Sequence, residues 1–332
     1  MRPKDRDISQ ALRRSFQLAF LGLNLWIGIQ FYFWVRCIES GTTASVARPA
    51  GVEGWLPIEG LMQARYVLLT RQLPRLHPAA FFLFTAFVLS SLLFRKSFCS
   101  WLCPVGTLSE FLWKLGRRLF GRNVCFPAWL DLPLRSLKYL LLAFFAYAVG
   151  MMSAAAIADF VASPYGIVID VRMLNFFRFL GPTAALVIAF LVLASLLIQN
   201  FWCRHLCPYG ALMGLAAALS PLRITRNEGA CIDCGKCAKA CPSSLPVDKL
   251  LQIRSAECTS CLECVAVCPA RDALAMSLIA PRALRRPIPE WIIGAAIAVI
   301  FLSLVAYAKW TGHWETRLPE EILHQLILSS RN

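Results

Sequence analysis

Eight cysteines of the chain stand in two runs whose spacing is identical. Each run reads C-x₂-C-x₂-C-x₃-C and is followed by a proline, Pro242 or Pro269. Thiolates with this spacing bind iron–sulfur clusters of the 4Fe–4S type, and the fourth cysteine of each run binds the cluster of the other run. The pattern therefore predicts two clusters. The first would be held by Cys231, Cys234, Cys237 and Cys268, and the second by Cys258, Cys261, Cys264 and Cys241.

Zinc and disulfides explain these runs less well. Structural zinc sites pair C-x₂-C with a distant second pair, and they do not repeat a four-cysteine run that ends in proline. Disulfide frameworks belong to oxidising compartments. The charge distribution described below predicts that this segment faces the cytosol instead.

Four further cysteines form two C-x₃-C-P pairs, Cys99 with Cys103 and Cys203 with Cys207, at a constant offset of 104 residues. Cysteines four apart lie on one face of a helix, and the proline ends that helix and suits the start of another. Three interpretations stay open. The pairs could ligate a third metal centre, act as redox-active or copper-binding thiols, or be buried side chains between helices. His205, inside the second pair, is a possible additional ligand.

Apolar segments of membrane length position these cysteines. Hydrophobic residues make up 58% of the chain and charged residues 16%, against about 45–50% and about 25% in soluble domains. Five runs approach the roughly 20 residues needed to cross a bilayer, so we predict five spans, at residues 16–35, 78–94, 139–158, 182–202 and 291–308. The second run is short, and we expect residues 98–101 to complete its helix. The offset repeat makes spans one and two, and spans three and four, two related hairpins.

Lys and Arg are distributed unevenly between the loops. If the N-terminus is inside, the inside segments carry 24 of the 34 basic residues, as the positive-inside rule requires. Membrane topology thus explains the net charge of +15, and no nucleic-acid partner is expected. We predict a multi-pass protein of the bacterial cytoplasmic (inner) membrane. Its N-terminus and cluster segment would be cytoplasmic and its C-terminal tail periplasmic.

The predicted fold class is an all-α integral membrane bundle with an inserted α+β domain of the bacterial two-cluster ferredoxin type. Its parts are a basic N-terminus (1–15), a four-span bundle with both C-x₃-C-P pairs (16–220), the ferredoxin domain (221–285), and a fifth span with its tail (286–332). Residues 61–70 and the amphipathic stretch 106–120 read as additional helices. Cys37 and Cys125 belong to no motif and are interpreted as structural.

With these features together, the chain resembles the NapH/NosR-type membrane polyferredoxins. The resemblance rests on Gly54-Trp-Leu-Pro, the two C-x₃-C-P-x-G motifs and the paired ferredoxin runs, and it covers nearly all of residues 15–285. It implies oxidation of membrane quinol and transfer of electrons through the clusters to a redox partner. The flavin-binding region of the NosR-type proteins has no counterpart here, so no flavin is expected. No histidine pair suits haem.

The sequence therefore predicts a membrane electron-transfer protein linking the quinone pool to a respiratory or maturation partner that the sequence does not identify. It would act as an electron carrier or a quinol dehydrogenase-type subunit, and no catalytic side chain is assigned. The alternative is an assembly factor that reduces or passes copper through the C-x₃-C-P thiols.

Overall fold

A computed structural model describes residues 8–41, 46–124, 126–279, 287–316 and 318–329. Cys125, residues 1–7 of the predicted basic N-terminus and residues 280–285 of the predicted ferredoxin domain lie outside these ranges. The fold is mostly helical. The helices are α1 Ser9–Glu39, α2 Pro57–Thr70, α3 Pro78–Phe94, α4 Ser97–Trp101, α5 Pro104–Phe120, α6 Ala128–Met151, α7 Ala154–Ala162, α8 Pro164–Ile167, α9 Ile169–Arg178, α10 Pro182–Leu197, α11 Pro208–Ala218, α12 Lys236–Ala240, α13 Glu263–Ala266, α14 Glu290–Trp310 and α15 Glu320–Ser329.

Three helices in the described residues are long and apolar enough to cross a membrane, namely α1, the 129–151 part of α6, and α14. A fourth candidate is the pair α9 and α10, which passes the same test together but bends by 82°. Helix α3 is apolar but has only 17 residues. Each predicted span thus overlaps a helix, and the number of five spans remains a prediction.

Three predicted helix ends are wrong. Arg95 has φ 61, so α3 stops at Phe94 and residues 98–101 belong to the separate helix α4. The run 139–158 is broken because Ser153 caps α7, its hydroxyl accepting a hydrogen bond of 3.1 Å from the amide of Ala156. Helix α10 ends at Leu197 rather than at 202. Hydropathy does not encode these local backbone changes.

Residues 222–278 form a small α+β region around two antiparallel strands, β1 Leu222–Arg226 and β2 Leu274–Leu278. Leu222 pairs with Leu278 and Ile224 with Met276. Leu222, Ile224 and Met276 are buried, so one face of the sheet packs inward. The two short helices α12 and α13 pack against each other. Each carries the third cysteine of one run, Cys237 or Cys264.

The chain divides into two compact units. Unit 1 comprises residues 1–21, 87–142 and 190–300, and it contains all twelve motif cysteines. Unit 2 comprises residues 22–86, 143–189 and 301–332. Its core includes Phe31, Val35, Ile38, Val168 and Val171.

Unit 2 also holds buried ionic groups. Arg48 bonds Asp170 at 2.7 Å and Glu53 at 3.1 Å, and Nδ1 of His77 lies 2.6 Å from Glu59. Burying such charges is tolerated only where they are paired in this way.

Candidate metal-binding sites

The eight cysteines of the two ferredoxin runs surround two separate pockets, in the two sets that the spacing predicts. The first pocket is lined by Cys231, Cys234, Cys237 and Cys268. The second pocket is lined by Cys241, Cys258, Cys261 and Cys264. The fold therefore carries the fourth cysteine of each run across to the other run, as a two-cluster ferredoxin requires.

The two cysteine loops also share a backbone pattern. Asp233 and Ser260 occupy equivalent positions and have φ 50 and 52, and the equivalent Gly235 and Leu262 have φ 67 and 59. Residues in this left-handed conformation turn successive backbone N–H groups toward one concavity, which suits anions and iron–sulfur clusters. Leu262 is only 2% exposed. A bulky side chain keeps this unfavourable conformation only where its surroundings enforce it. The loops thus fit an anionic cluster.

The two pockets differ in exposure. Cys234 of the first pocket is exposed, and Arg226 reaches Cys231, with 3.6 Å between Nη1 and Sγ. Each pocket has one buried cysteine, Cys237 or Cys264, and the other three cysteines of the second pocket are half-buried. Burial also raises the pKa of Cys261 to about 12, so a metal that binds there must displace its proton.

The second pocket is anchored by two hydrogen bonds from α4 and by one to the end of α3. The hydroxyl of Ser100 donates to the carbonyl oxygen of Thr259 at 2.5 Å, and the indole N–H of Trp101 donates to that of Ser260 at 3.2 Å. The hydroxyl of Ser260 in turn donates to the carbonyl oxygen of Phe94 at 3.1 Å. These bonds hold the loop 258–261 beside the first C-x₃-C-P motif.

The two C-x₃-C-P motifs fold alike. Cys99 lies in α4 and Cys203 in a π-helical turn, Trp202–Leu206. Cys103 and Cys207 are the capping residues of α5 and α11, with extended backbones and a proline at the first helical position. The Sγ of Cys207 accepts a hydrogen bond of 3.2 Å from the amide of Gly210. A cysteine at a helix N-terminus is favoured as thiolate by such amides and by the helix dipole.

The glycine of each C-x₃-C-P-x-G motif permits this turn. A Cβ on Gly106 would lie 2.2 Å from the carbonyl oxygen of Cys99, and one on Gly210 would lie 3.3 Å from that of Cys203. The helix after the proline therefore folds back closely over the first cysteine of its motif. This contact explains why glycine stands two residues after the proline in both copies.

The two motifs pack against each other reciprocally. Helix α4 packs against α11, and α5 packs against the turn 202–206. Phe98 and Tyr209 make an edge-on ring contact across the first of these junctions, with 5.8 Å between centroids. All four cysteines interact electrostatically with one another. The structure thus brings the four thiols into one half-buried group.

Known protein families match the regions that contain these sites. A 4Fe-4S binding domain matches residues 76–123 and 180–227, and a 4Fe-4S dicluster domain matches residues 223–269. The Escherichia coli protein named "Putative electron transport protein YccM" is 50% identical over 318 residues, 95% of this chain and 89% of that protein. The ferredoxin-type protein NapH of E. coli is 26% identical over 190 residues, 54% of this chain and 62% of NapH. The regulatory protein NosR of Pseudomonas aeruginosa is 30% identical over 191 residues, 56% of this chain and 26% of NosR.

The chain belongs to the NapH/NosR-type membrane polyferredoxins. It is an electron transport protein of the ferredoxin type with 4Fe–4S binding domains. No solved structure matches it.

Buried charges surround the four C-x₃-C-P thiols of this polyferredoxin. Lys96 is 2% exposed and interacts with Cys99, Cys203 and Cys207. Its Nζ lies 3.7 Å from Oε2 of Glu257, which also accepts a hydrogen bond of 2.6 Å from Lys138. None of these three residues was predicted from the sequence. Lys96 is three positions before Cys99 and could have been noticed, whereas nothing local marks Glu257.

His205 bonds groups other than the thiols in the described structure, and its role as an additional ligand stays a prediction. Its Nε2 lies 3.1 Å from Oδ1 of Asp131 and its Nδ1 lies 3.2 Å from the carbonyl oxygen of Phe201. Both ring nitrogens are therefore engaged away from the thiols.

Within the described ranges, no group of three or more His, Cys, Asp and Glu is arranged to hold a single metal ion. This holds for the eight ferredoxin cysteines as well. In a cluster each thiolate binds a different iron, so its ligands need not converge on one point. None of the thirteen cysteines of the described residues forms a disulfide.

Proposed function

We propose that this polyferredoxin transfers electrons between the membrane quinone pool and a protein partner through two 4Fe–4S clusters. The first cluster would be held by Cys231, Cys234, Cys237 and Cys268, and the second by Cys241, Cys258, Cys261 and Cys264. When bound, each supplies a carrier of one electron, whose potential the surrounding hydrogen bonds and solvent access adjust. The observation that carries the proposal is the pair of pockets, each lined by one crossed set of four cysteines.

The difference in exposure indicates which pocket faces the redox partner and which one faces the membrane. The first pocket has an exposed cysteine, Cys234, and a rim that includes Asp233, whose side chain is 82% exposed. We infer that a redox partner docks on this side. The second pocket is covered by α4, at the end of the apolar helix α3. It is therefore the pocket nearer to the membrane, on what we propose is the cytoplasmic side.

A groove between α1 and α5 supplies a candidate site for the quinol headgroup. Its walls combine the apolar side chains of Leu18, Phe111 and Leu115 with the polar groups of Gln17 and Glu110. The remaining lining residues, Arg14, Thr107, Lys114 and Arg118, make the other wall polar and basic, so the groove could take a ring with polar substituents, such as a quinol headgroup, against its apolar side. The groove opens beside an amphipathic helix, where a membrane-dissolved molecule could enter.

Hydrogen bonds connect this groove to the second pocket. Glu110 is bonded by Arg13 at 2.6 and 2.7 Å, and Arg13 also bonds Glu263 at 3.0 Å. Gln10 donates to the carbonyl oxygen of Cys261 at 2.9 Å. Burial raises the pKa of Glu110, but Arg13 and Lys114 have the larger opposite effect and lower it to about 2. Glu110 is thus a permanent carboxylate, held as a fixed charge on the wall of the groove by hydrogen bonds from Arg13, Gln17 and Lys114.

The test is reduction by a quinol analogue after anaerobic purification in detergent. Iron, acid-labile sulfide and EPR spectra are measured before and after addition of a soluble quinol. We expect at least two clusters per chain and EPR signals of reduced clusters on adding quinol. The double variant Cys234→Ser/Cys261→Ser should lose both signals, whereas Cys37→Ser, which changes a cysteine outside every motif, should keep them.

Two results would contradict the proposal in different ways. Zinc in place of iron at the ferredoxin cysteines would exclude the clusters. Clusters that stay oxidised under excess quinol, yet accept electrons from a reduced soluble ferredoxin, would exclude quinol as the donor and reverse the direction of transfer.

A further inference from the structure

We propose that Cys99, Cys103, Cys203 and Cys207 hold a third metal centre, an iron–sulfur cluster, adjoining the second pocket. This goes beyond the two-cluster relay, because it assigns a redox centre to cysteines outside the ferredoxin runs. Four observations carry it: the convergence of four thiols from two repeats, the donors aimed at two of them, the buried positive charge around them, and the cavity that they share with the second pocket.

The convergence is built into both repeats. Each motif contributes one cysteine before its proline-capped helix and one at that helix's N-terminus. If the cysteines only packed between helices, the same arrangement of two cysteines around a proline would not have to occur twice. Packing alone would also not require a glycine at a position where a Cβ would clash with a cysteine carbonyl oxygen. The tight turn at Gly106 and the milder one at Gly210 instead fix the positions of the two thiols in each motif.

The amide donors favour anionic sulfur. Besides the bond from Gly210, the amide of Tyr209 interacts with Cys207, and the amides of Val105 and Gly106 interact with Cys103. Amides aimed at sulfur stabilise charge, and metal binding is what would create that charge.

The charge of the surroundings points in the same direction. Two buried ammonium groups, Lys96 and Lys138, act on Cys99 and Cys207. In the described residues the carboxylate that pairs with both is Glu257. Ammonium groups beside thiols favour the thiolate form that binds a metal. The lining of the adjoining cavity is balanced as a whole, with Arg13, Lys96 and Arg204 against Glu110, Glu257 and Glu263, so the positive charge acts locally at the thiols.

A cluster fits this site better than a single ion. No three of the four cysteines are arranged around one point within the described structure, and the same is true of the eight cysteines in the ferredoxin runs. Both motifs lie within the segments that match the 4Fe-4S binding domain. The iron–sulfur class is therefore the one to which these thiols are assigned.

The location makes the centre a neighbour of the second pocket. One cavity is lined by Cys99, Cys203 and Cys261 together with Glu257 and Thr259. The hydrogen bond from Ser100 to Thr259 joins the residue next to Cys99 to the loop that carries Cys261. A third cluster would therefore extend the row of redox centres from the ferredoxin region toward the membrane helices.

The experiment counts metals in intact protein and in variants. Protein purified anaerobically after growth in iron-replete medium is analysed for iron, sulfide, copper and zinc. We expect about 12 iron atoms per chain, since three clusters of four are present. The double variant Cys99→Ser/Cys203→Ser should lose one third of the iron and of the sulfide. Cys37→Ser is the matched control and should lose none.

Metal analysis separates failure of this inference from failure of the proposed function. Wild-type protein with about 8 irons, unchanged in the double variant, would overturn the third centre and leave the two-cluster relay intact. One equivalent of copper or zinc that disappears in the double variant would also overturn it, in favour of a mononuclear thiolate site. If the variant does not fold, iron and acid-labile sulfide analysis of the wild type still decides, because three clusters and two clusters give about 12 and about 8 iron atoms per chain.

Discussion

Lys96 and Glu257 form a buried ion pair, with 3.7 Å between Nζ and Oε2, although 161 positions separate them along the chain. The same carboxylate accepts hydrogen bonds from Lys138 at 2.6 Å and from the hydroxyl of Tyr139 at 2.9 Å. Glu257 stands immediately before Cys258 of the second ferredoxin run, and Lys96 stands three residues before Cys99. The pair therefore ties the ferredoxin loop to the C-x₃-C-P thiols through charge.

Removing this carboxylate should destabilise unit 1. In Glu257→Gln both lysines lose their anionic partner, and breaking a buried pair in this way costs about 3–5 kcal/mol. We expect a clear fall in the apparent melting temperature in detergent. Glu228→Gln is the matched control, because Glu228 is 54% exposed and only 3.6 Å from Arg226, so its pair is worth less than about 1 kcal/mol. Equal effects of the two substitutions would contradict the ion-pair account.

The pH dependence of this contribution follows from the pKa of Glu257. Burial raises this pKa, but Lys96 and Lys138 lower it more, from 4.5 to about 2. A lowered carboxyl pKa means that the stabilisation is present above pH 4.5 and is lost as the pH falls toward 2. The difference in stability between the wild type and Glu257→Gln should therefore shrink as the pH falls below 4.5.

A second prediction concerns the charge of Lys96 and rests on the third centre. Reduction adds negative charge, which a nearby cation favours. Lys96→Gln should therefore lower the reduction potential of the third centre, by on the order of 50 mV for a partly screened charge, while Lys96→Arg should leave it nearly unchanged. Redox titration followed by EPR measures both. A potential that moves equally in the two variants would mean that packing, and not charge, is responsible.

How much of this arrangement the sequence could predict depends on the range of each interaction. The two sets of ferredoxin cysteines follow from spacing, because the ligands are local and the cross-over is a property of the pattern. The breaks at Arg95 and Ser153 did not follow, since each depends on one backbone angle or one capping bond within an otherwise apolar run. The role of Glu257 depends on tertiary contacts with Lys96 and Lys138, for which the sequence has no local signal.

The hydrogen-bond partners of His205 also could not be predicted from the local sequence. Its position between Cys203 and Cys207 suggested a metal, and the partner that turns it away, Asp131, lies 74 positions earlier. Motif spacing therefore predicted which thiols come together, but it did not predict the charged residues around them.

Adding a methyl group at Gly106 should damage the four-thiol site. The Cβ of Gly106→Ala would meet the backbone oxygen of Cys99 at 2.2 Å, and overpacking of this kind costs about 1–3 kcal/mol. We expect loss of the third of the iron assigned to this site and a lower melting temperature. Gly210→Ala, at 3.3 Å from the carbonyl oxygen of Cys203, should have a smaller effect.

Gly150→Ala is the control for these two substitutions. A Cβ there has no heavy atom within 4 Å, and alanine favours the interior of a helix by up to about 1 kcal/mol. Iron content should stay at the wild-type value. If Gly106→Ala behaved like Gly150→Ala, the close approach of α5 to Cys99 would not exist in solution.

The buried pair of His77 and Glu59 in unit 2 should make stability fall at alkaline pH. Burial lowers the pKa of His77, but the hydrogen bond and charge of Glu59, with the charges of Glu53 and Asp170, raise it to about 9. Arg48 offsets part of this negative charge by bonding Glu53 and Asp170. Because the folded-state pKa is raised, the stabilisation is complete below the ordinary value of 6.5 and is lost as the pH rises through about 9.

The measurement is the apparent melting temperature as a function of pH. The wild type should lose stability between pH 6.5 and about 9, and His77→Gln should show a much flatter profile at lower overall stability. His324→Gln, which changes a histidine of α15, should reproduce the wild-type profile. Parallel profiles for the wild type and His77→Gln would show that this pair does not hold a proton in the folded protein.

The groove between α1 and α5 gives a direct test of quinol binding. Phe111 and Leu119 both lie on α5 and are both 65% exposed, but only Phe111 lines the groove within the described structure. Aromatic contacts with a bound ring are worth about 0.5–1.5 kcal/mol beyond area burial. Phe111→Ala should therefore raise the quinol concentration for half-maximal cluster reduction by about tenfold. Leu119→Ala should change it less than about twofold, because it removes an equally exposed side chain outside the groove.

Cluster content must be equal in the two variants, which iron analysis checks. Equal half-saturation values would move the quinol site elsewhere, whereas a loss of reduction at every quinol concentration in Phe111→Ala would indicate damage to the second pocket instead.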